Sequence, residues 1–305
     1  MMEKFEVNIL GCGSALPTTR HFSSSQVVNI REKLFMIDCG EGAQMQLRRS
    51  KLKFTRLNHI FISHLHGDHV FGLMGLISTF GLLGRTAKLH IYAHEELERL
   101  LQPHLDFFCK GMSYDVVFHS IDPNKAETIY EDRSVTVSSI PLRHRIPTCG
   151  FLFKEKKTTD HIIRDMIDFY QIPVSELNHI KNGGDYTTPE GKTIPHNRLT
   201  TPAAAPRSYA YCSDTVCQRN IIPLIEGADL LFHEATFAHA DLARAKETFH
   251  TTATQAAEIA CEAKVKQLLI GHFSARYEDE SILLKEARTI FSDTILAKEN
   301  LRITL

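Results

Sequence analysis

Three histidines and an aspartate, His64, His66, Asp68 and His69, fall within six residues of the stretch "SHLHGDHVFG". Imidazoles and carboxylates are ligands for zinc and similar ions, provided they are deprotonated and converge. His64 and His66 are two apart, so on an extended segment both side chains point the same way. Asp68 and His69 follow where the chain leaves the apolar strand "HIFIS" for a helical run, and there they can face a second ion beside the first. Desolvating four ionisable groups together at the rim of a core is costly unless an ion compensates. The segment therefore reads as half the ligand set of a two-metal site.

The other half must come from the ends of other strands. His144 after "SSIPL", Asp214 after "YAYCS" and His272 after "QLLIG" each end an apolar stretch. Asp214 is the natural bridge, because one carboxylate offers an oxygen to each ion. The chain holds 17 histidines, so isolated ones carry no such weight. His90, His94, His104, His119, His161, His179, His196 and His239 are read as ordinary capped or solvated residues.

The elements that must position these groups alternate in type. "FEVNIL", "QVVNI", "KLFMID", "KLHIYA", "YDVVFHSI" and "SVTVSSIPL" read as strands. "GAQMQLRRSKL", a largely buried run from Val70 to Phe80, and "HEELERLLQPHLDFF" read as helices. From Lys154 to about Ser208 core periodicity lapses into Pro-, Gly-, Thr- and Asn-rich text around one amphipathic piece, "IIRDMIDFY". That stretch is expected to be an inserted arm within a single domain spanning residues 1–305. "YAYCSD", "ADLLFHEAT" and "VKQLLIGHF" restore strands, with helices "TTATQAAEIACEA" and "EDESILLKEARTIF", the first carrying a Thr N-cap. Two strand–helix halves suit a layered sandwich.

Composition sets outer bounds. Net charge is −1 and 43% of residues are hydrophobic, so nothing global advertises nucleic-acid binding and any such surface must be local. Seven cysteines, odd in number and without CxxC spacing, together with no secretory leader, lead to the expectation of reduced thiols in the cytoplasm. No apolar run approaches the roughly 18 residues of a membrane span.

The chain resembles the metallo-β-lactamase superfamily and, within it, short-form ribonuclease Z. The resemblance rests on "LGCGSALP", "IDCGEGAQMQL", "HIFISHLHGDHVFGLMGLI", "HRIPTCGF", "YCSDT", "FHEATF", "HTTATQAAEIA" and "LLIGHFSARY". HxHxDH alone specifies only the superfamily; "HEAT", the later His-Thr-Thr and "GHFSARY" narrow it. The resemblance implies an α/β fold, an αββα sandwich with an inserted extended arm. It implies two zinc ions per chain: His64, His66 and His144 on one, Asp68, His69 and His272 on the other, Asp214 bridging. The implied reaction removes the 3′ trailer of precursor tRNA, with Asp68 accepting a proton from the attacking water. His250, paired with Glu234, would protonate the leaving oxygen.

A homodimer is implied as well, one subunit's arm serving the other's site. Lys181 echoes the family's Lys-x-Gly in the arm, although the Gly-Pro signature expected beside it is absent. From Lys154 to Arg198 seven basic residues meet seven acidic ones, so charge count alone makes no RNA clamp. The family's Pro-x-Lys-x-Arg-Asn is missing too, Pro17-Thr18-Thr19-Arg20-His21-Phe22 standing in its place. Two alternatives stand beside the nuclease reading. One is another dinuclear-zinc hydrolase of this superfamily, a phosphodiesterase or thioesterase; the other is a non-catalytic RNA-binding subunit.

Overall fold

The structure, a computed structural model, describes residues 3–305. The first half supplies β1 (Phe5–Gly11), β2 (Ser25–Ile30), β3 (Lys33–Ile37), β4 (Leu57–Phe61), β5 (Leu89–Ala93) and β6 (Val116–Ser120). β7 (Thr128–Glu131), β8 (Val135–Leu142) and β9 (Thr148–Glu155) follow. Four two-residue strands come next, β10 (His161–Ile162), β11 (Tyr186–Thr187), β12 (Thr193–Ile194) and β13 (Thr200–Thr201). The chain then makes β14 (Ser208–Cys212), β15 (Leu230–Glu234), β16 (Gln267–Gly271), β17 (Thr294–Leu296) and β18 (Arg302–Thr304).

Two seven-stranded sheets result, in the orders β18-β1-β2-β3-β4-β5-β6 and β17-β16-β15-β14-β9-β8-β7. β3 to β6 run parallel to one another, as do β14 to β17. Alternation along the strands sorts the side chains. Phe5, Val7, Ile9, Phe35, Ile37 and Phe61 of the first sheet join Val137, Phe151, Phe153 and Tyr209 of the second in one buried cluster. Phe61 sits at its centre, 4.6 Å from the Tyr92 ring and 5.5 Å from Phe153. The opposite face of the first sheet, with Val27, Met36, Ile60 and Ile91, packs on helices Ala43–Arg49, Leu73–Leu82 and Glu96–Phe108. Helices Ala253–Glu262 and Ser281–Arg288 add Ala256, Ile259 and Leu283 to the core from the second half. Thr252 caps the first of these through a complete capping box with Gln255. The architecture is the αββα sandwich.

Several expectations need correction. The run from Val70 to Phe80 is not one buried helix: Gly67–Val70 forms a single turn, Leu73–Leu82 begins anew, and Phe71 between them is 74% exposed. β7, β9, β17 and β18 had no strand reading. β17 and β18 are three residues long, too short for a period-2 pattern, and β9 carries a Cys-Gly pair and a Lys-Glu end.

The chain divides into two compact units, residues 3–154 with 207–305, and Glu155–Pro206. The second unit falls within the stretch read as an arm but is less irregular than its text. Helices Arg164–Tyr170 and Val174–Lys181 and the pairs β10/β13 and β11/β12 enclose a small core of Ile172, Ile180, Tyr186, Ile194 and Leu199. Its buried residues are scattered singly along the stretch, so no periodic window reveals them. No helix among the described residues is long and apolar enough to cross a membrane.

Three histidines line the inner face of one sheet edge. His59 on β4 pairs in register with His90 on β5, their rings stacked at 5.2 Å, and His90 Nδ1 lies 2.9 Å from His119 Nε2 on β6. Tyr130 from the other sheet closes over His59 at 4.5 Å. Burial, and then the neighbouring His90, push the His59 pKa down to about 4 from 6.5. The unfolded chain thus binds this proton more readily than the folded one, so stability is full above about pH 6.5 and falls as pH drops toward 4. His59→Phe should remove a pH-dependent loss on the order of 2 kcal/mol at about pH 5. Denaturant unfolding of wild type and variant at neutral and acidic pH checks this; identical pH slopes would refute it.

Candidate metal centre

The groups singled out in sequence come from six chain segments and meet at one end of the sandwich. β4 ends at Phe61 and delivers His64 and His66; the turn Gly67–Val70 carries Asp68 and His69. β8 is followed by His144, β14 by Asp214 and β16 by His272, while Glu234 ends β15. Parallel strands place their carboxyl ends on the same side, where loops are free to build a site. Two close approaches bring the turn home. A Cβ on Gly40 would lie 2.3 Å from the Asp68 carbonyl oxygen, and one on Gly72 would lie 2.2 Å from that of Gly40. His272 itself sits at φ 60°, a left-handed conformation that non-glycine residues adopt at a cost.

Two groups of ligand atoms emerge. His64 Nε2 is 3.1 Å from His66 Nδ1, and His144 Nε2 is 3.3 Å from the same atom. Asp214 Oδ2 faces this trio, 3.6 Å from His64 and 3.8 Å from His144. The second group joins His69 Nε2 and His272 Nε2 through Asp68 Oδ2, at 3.3 and 3.6 Å. Asp214 Oδ1 faces that one, 3.5 Å from His69 and 3.2 Å from His272. One oxygen of Asp214 thus addresses each group.

The chemistry of these atoms fits a bound cation. Asp68 Oδ2, His69 Nε2 and His272 Nε2 are buried and make no hydrogen bond. Such atoms cost free energy unless something completes them. The outward ring nitrogen of four of the five histidines is occupied: His64 Nδ1 by Ser63 Oγ (3.0 Å), His144 Nδ1 by the Phe249 carbonyl (2.9 Å), His272 Nδ1 by Thr236 Oγ1 (2.9 Å). His69 Nδ1 meets Asp38 Oδ2 at 2.8 Å. Outer partners of this kind set the tautomer and aim the free nitrogen inward. Burial, and secondarily the other imidazoles, hold the His64 pKa well below its usual value. Burial likewise lowers His66 and His144, keeping them in the neutral, ligand-competent form. Burial opposes the charge on Asp68 and Asp214 too, but the surrounding histidines hold both carboxyls far below the usual range.

Glu234 is fully buried and saturated. Its Oε1 accepts from the Thr215 amide (3.0 Å) and His250 Nδ1 (2.8 Å); its Oε2 accepts from the Thr236 amide (3.1 Å) and hydroxyl (2.6 Å). His250 lies with its ring 5.0 Å from His144 and 5.3 Å from His272, within ligand reach of Asp214, and it lines the cavity above the centre. Burial works against its charge, yet Glu234 beside it pushes its pKa up to about 9. That cavity, about 710 Å³, is walled by Asp68, His66, Phe71 and three arginines, Arg145, Arg244 and Arg276. Lys181 lies in the other unit, at the end of helix Val174–Lys181.

Sequence reasoning passed over several participants. Asp38 is the chief one; its signal was a carboxylate directly after the apolar strand "KLFMID", the same rule that found Asp214. Thr236, Arg145 and Arg276 stand inside the quoted motifs "FHEATF", "HRIPTCGF" and "LLIGHFSARY" without a role of their own there, and Arg244 had no local signal.

An αββα sandwich with a His/Asp cluster at its strand ends defines a metal-dependent hydrolase of metallo-β-lactamase fold. The metallo-β-lactamase fold protein YhfI from Bacillus subtilis superposes with a TM-score of 0.69 at 19% identity, over 99% of this chain and all of that one. Human tRNase Z, short form, superposes with a TM-score of 0.70 at 26% identity, over 98% of each chain. Ribonuclease Z of Phocaeicola vulgatus is 76% identical over all of this chain and 98% of that protein. The chain belongs to the ribonuclease Z family and, through residues 5–165, to the family described as anti-Pycsar protein Apyc1.

Asp38→Asn keeps the side-chain volume but gives His69 Nδ1 the wrong partner. It should weaken metal affinity by about 10–100-fold, read by chelator competition. Unchanged affinity would remove Asp38 from the account.

Proposed function

We propose that this chain is an endoribonuclease that hydrolyses one phosphodiester at the 3′ end of precursor tRNA. It would release the 3′ trailer and leave a 3′-hydroxyl on the tRNA. The observation that carries the reading is full-length identity of 76% with a ribonuclease Z, joined to a His/Asp cluster whose buried ligand atoms lack partners. The arginine-walled cavity suits a polyanion. Two zinc ions per chain fit the donor set, His64, His66 and His144 holding one, Asp68, His69 and His272 the other, Asp214 shared. When bound, such a pair supplies Lewis acidity toward the phosphate and an acidified water.

The chain's own residues do the rest. Asp68 borders the cavity and accepts the proton of the attacking water. His250 holds a proton that Glu234 keeps in place, and gives it to the leaving 3′-oxygen. Arg145, Arg244 and Arg276 position the phosphates on either side of the scissile bond. The second unit, Lys181 included, serves as the inserted arm that grips the body of the tRNA, in a homodimer acting in the cytoplasm.

His250→Ala should retain both metal ions by elemental analysis yet lose on the order of 10²–10⁴-fold in turnover. Glu234→Gln removes the charge that raises the His250 pKa. A general acid works while protonated, so activity falls as pH rises through its pKa, and in this variant that falling limb should move to lower pH. A near wild-type His250→Ala, or an unmoved limb, would reassign the role.

Replacing Glu155–Pro206 by a short flexible linker should leave hydrolysis of bis(p-nitrophenyl) phosphate intact, since loop closure costs grow slowly with length. Precursor tRNA should bind far more weakly and with a shallower salt dependence. Loss of the small-substrate activity with tRNA cleavage spared would make this unit part of the active site itself.

A further inference from the structure

A second group of metal-ligand atoms lies outside the centre. Cys12 follows β1, His21 stands in the loop before β2, and Glu299 lies between β17 and β18. Their donor atoms lie within 4.8 Å of one another. Cys12 Sγ is 3.4 Å from His21 Nδ1 and 3.7 Å from Glu299 Oε1, and His21 Nδ1 is 3.2 Å from Glu299 Oε2. We infer that Cys12, His21 and Glu299 form a third metal site, for a single zinc-class divalent ion, distinct from the dinuclear centre.

The distances carry the inference. Zinc bonds of ~2.3 Å to sulfur and ~2.0–2.1 Å to nitrogen or oxygen place the edges of a tetrahedron at roughly 3.3–3.6 Å. The sulfur–nitrogen separation falls in that range, and the two to Glu299, one to each of its carboxylate oxygens, fall within about 0.2 Å of it; three protein ligands leave one position for a water. The outer partner is present too. His21 Nε2 meets Glu280 Oε1 at 3.1 Å, so a ring proton held on Nε2 leaves the lone pair of Nδ1 for an ion. A carboxylate behind an imidazole is the usual support of a metal-bound histidine.

Without an ion, the same atoms would describe an imidazolium between two carboxylates. Glu299, offsetting burial, does raise the His21 pKa, and Arg20 also lies near Glu280, at 3.7 Å. In that arrangement the thiol makes only long contacts, to the Ala297 carbonyl at 3.5 Å and to Glu299 Oε1 at 3.7 Å. Burial first, and then Glu299, hold its pKa well above the ordinary range, so in the absence of a cation it is an inert group among acids. A divalent ion gives it a role, because coordination deprotonates a thiol outright. The ion would tie together segments 287 residues apart directly behind the turn that bears His272, since the Phe273 amide donates to the Cys12 carbonyl at 3.0 Å. The site does not depend on the nuclease reading.

Cobalt(II) separates this site from the other, because none of the seven candidate ligands of the dinuclear centre carries sulfur. Metal-free full-length protein titrated with cobalt(II) chloride should develop a near-ultraviolet sulfur-to-cobalt charge-transfer band. Cys12→Ala should lose that band and one cobalt per chain while keeping the visible bands of the His/Asp centre. His21→Gln, at a partly exposed position, guards against misfolding of the first variant; its band should need about tenfold more cobalt or beyond. A folded wild type without the band, a band undiminished in Cys12→Ala, or an unshifted titration in His21→Gln would overturn the inference.

Discussion

One buried carboxylate holds the two halves of this molecule in register at the functional end. Asp38, fully buried and itself at φ 54°, accepts from the Ser63 amide (2.8 Å) and hydroxyl (2.9 Å), from His69 Nδ1 (2.8 Å) and from the Tyr211 hydroxyl (2.7 Å). Those partners lie beyond β4, on the Gly67–Val70 turn and on β14 of the opposite sheet. A buried charge is tolerable only when so fully satisfied, and each bond it accepts fixes a different segment. The distance between the sheets, the pose of His69 and the entry of the ligand turn are therefore set by a residue that touches neither metal nor substrate.

Asp214 works in the complementary way. It stands two residues beyond β14, next to Ser213, whose hydroxyl meets Ser63 across the interface at 3.2 Å. The two sheets thus meet twice within a few ångströms, once through a carboxylate facing outward to the ligand groups and once through one facing inward to the scaffold. Burial prevails at His64 and holds its pKa down, whereas at His69 Asp38, Asp68 and Asp214 together outweigh the same burial while no cation occupies Nε2.

The site was more legible in sequence than the framework that carries it. Ligands announce themselves because polar groups at the ends of apolar strands are locally anomalous, and His64, His66, Asp68, His69, His144, Asp214 and His272 all stand in that position. Pairing partners do not. β9 crosses from core to arm with a Cys-Gly pair in it, yet it joins β8 to β14 at the middle of the second sheet. Phe71 was expected inside because its neighbours Val70 and Leu73 are apolar. A break at Gly72, forced by the approach of Gly40, turns it outward into the cavity wall. Asp38 obeyed the same strand-end rule as Asp214, but its partner is another side chain, and no spacing records that.

The first sheet joins an early strand to a late one. β1 begins at Phe5 and pairs on one side with β2, but its other edge pairs with β18, at Glu6 with Thr304. A ribosome adding about 5–20 residues per second keeps that edge waiting for roughly 15–60 seconds after β1 emerges. Throughout synthesis an apolar strand with unsatisfied amides and carbonyls stands open to any passing β-segment. Vectorial folding can therefore assemble most of the sandwich early, yet it leaves the nascent chain adhesive until β18 has been made. Interrupted translation would release products whose hazard is aggregation rather than mere inactivity.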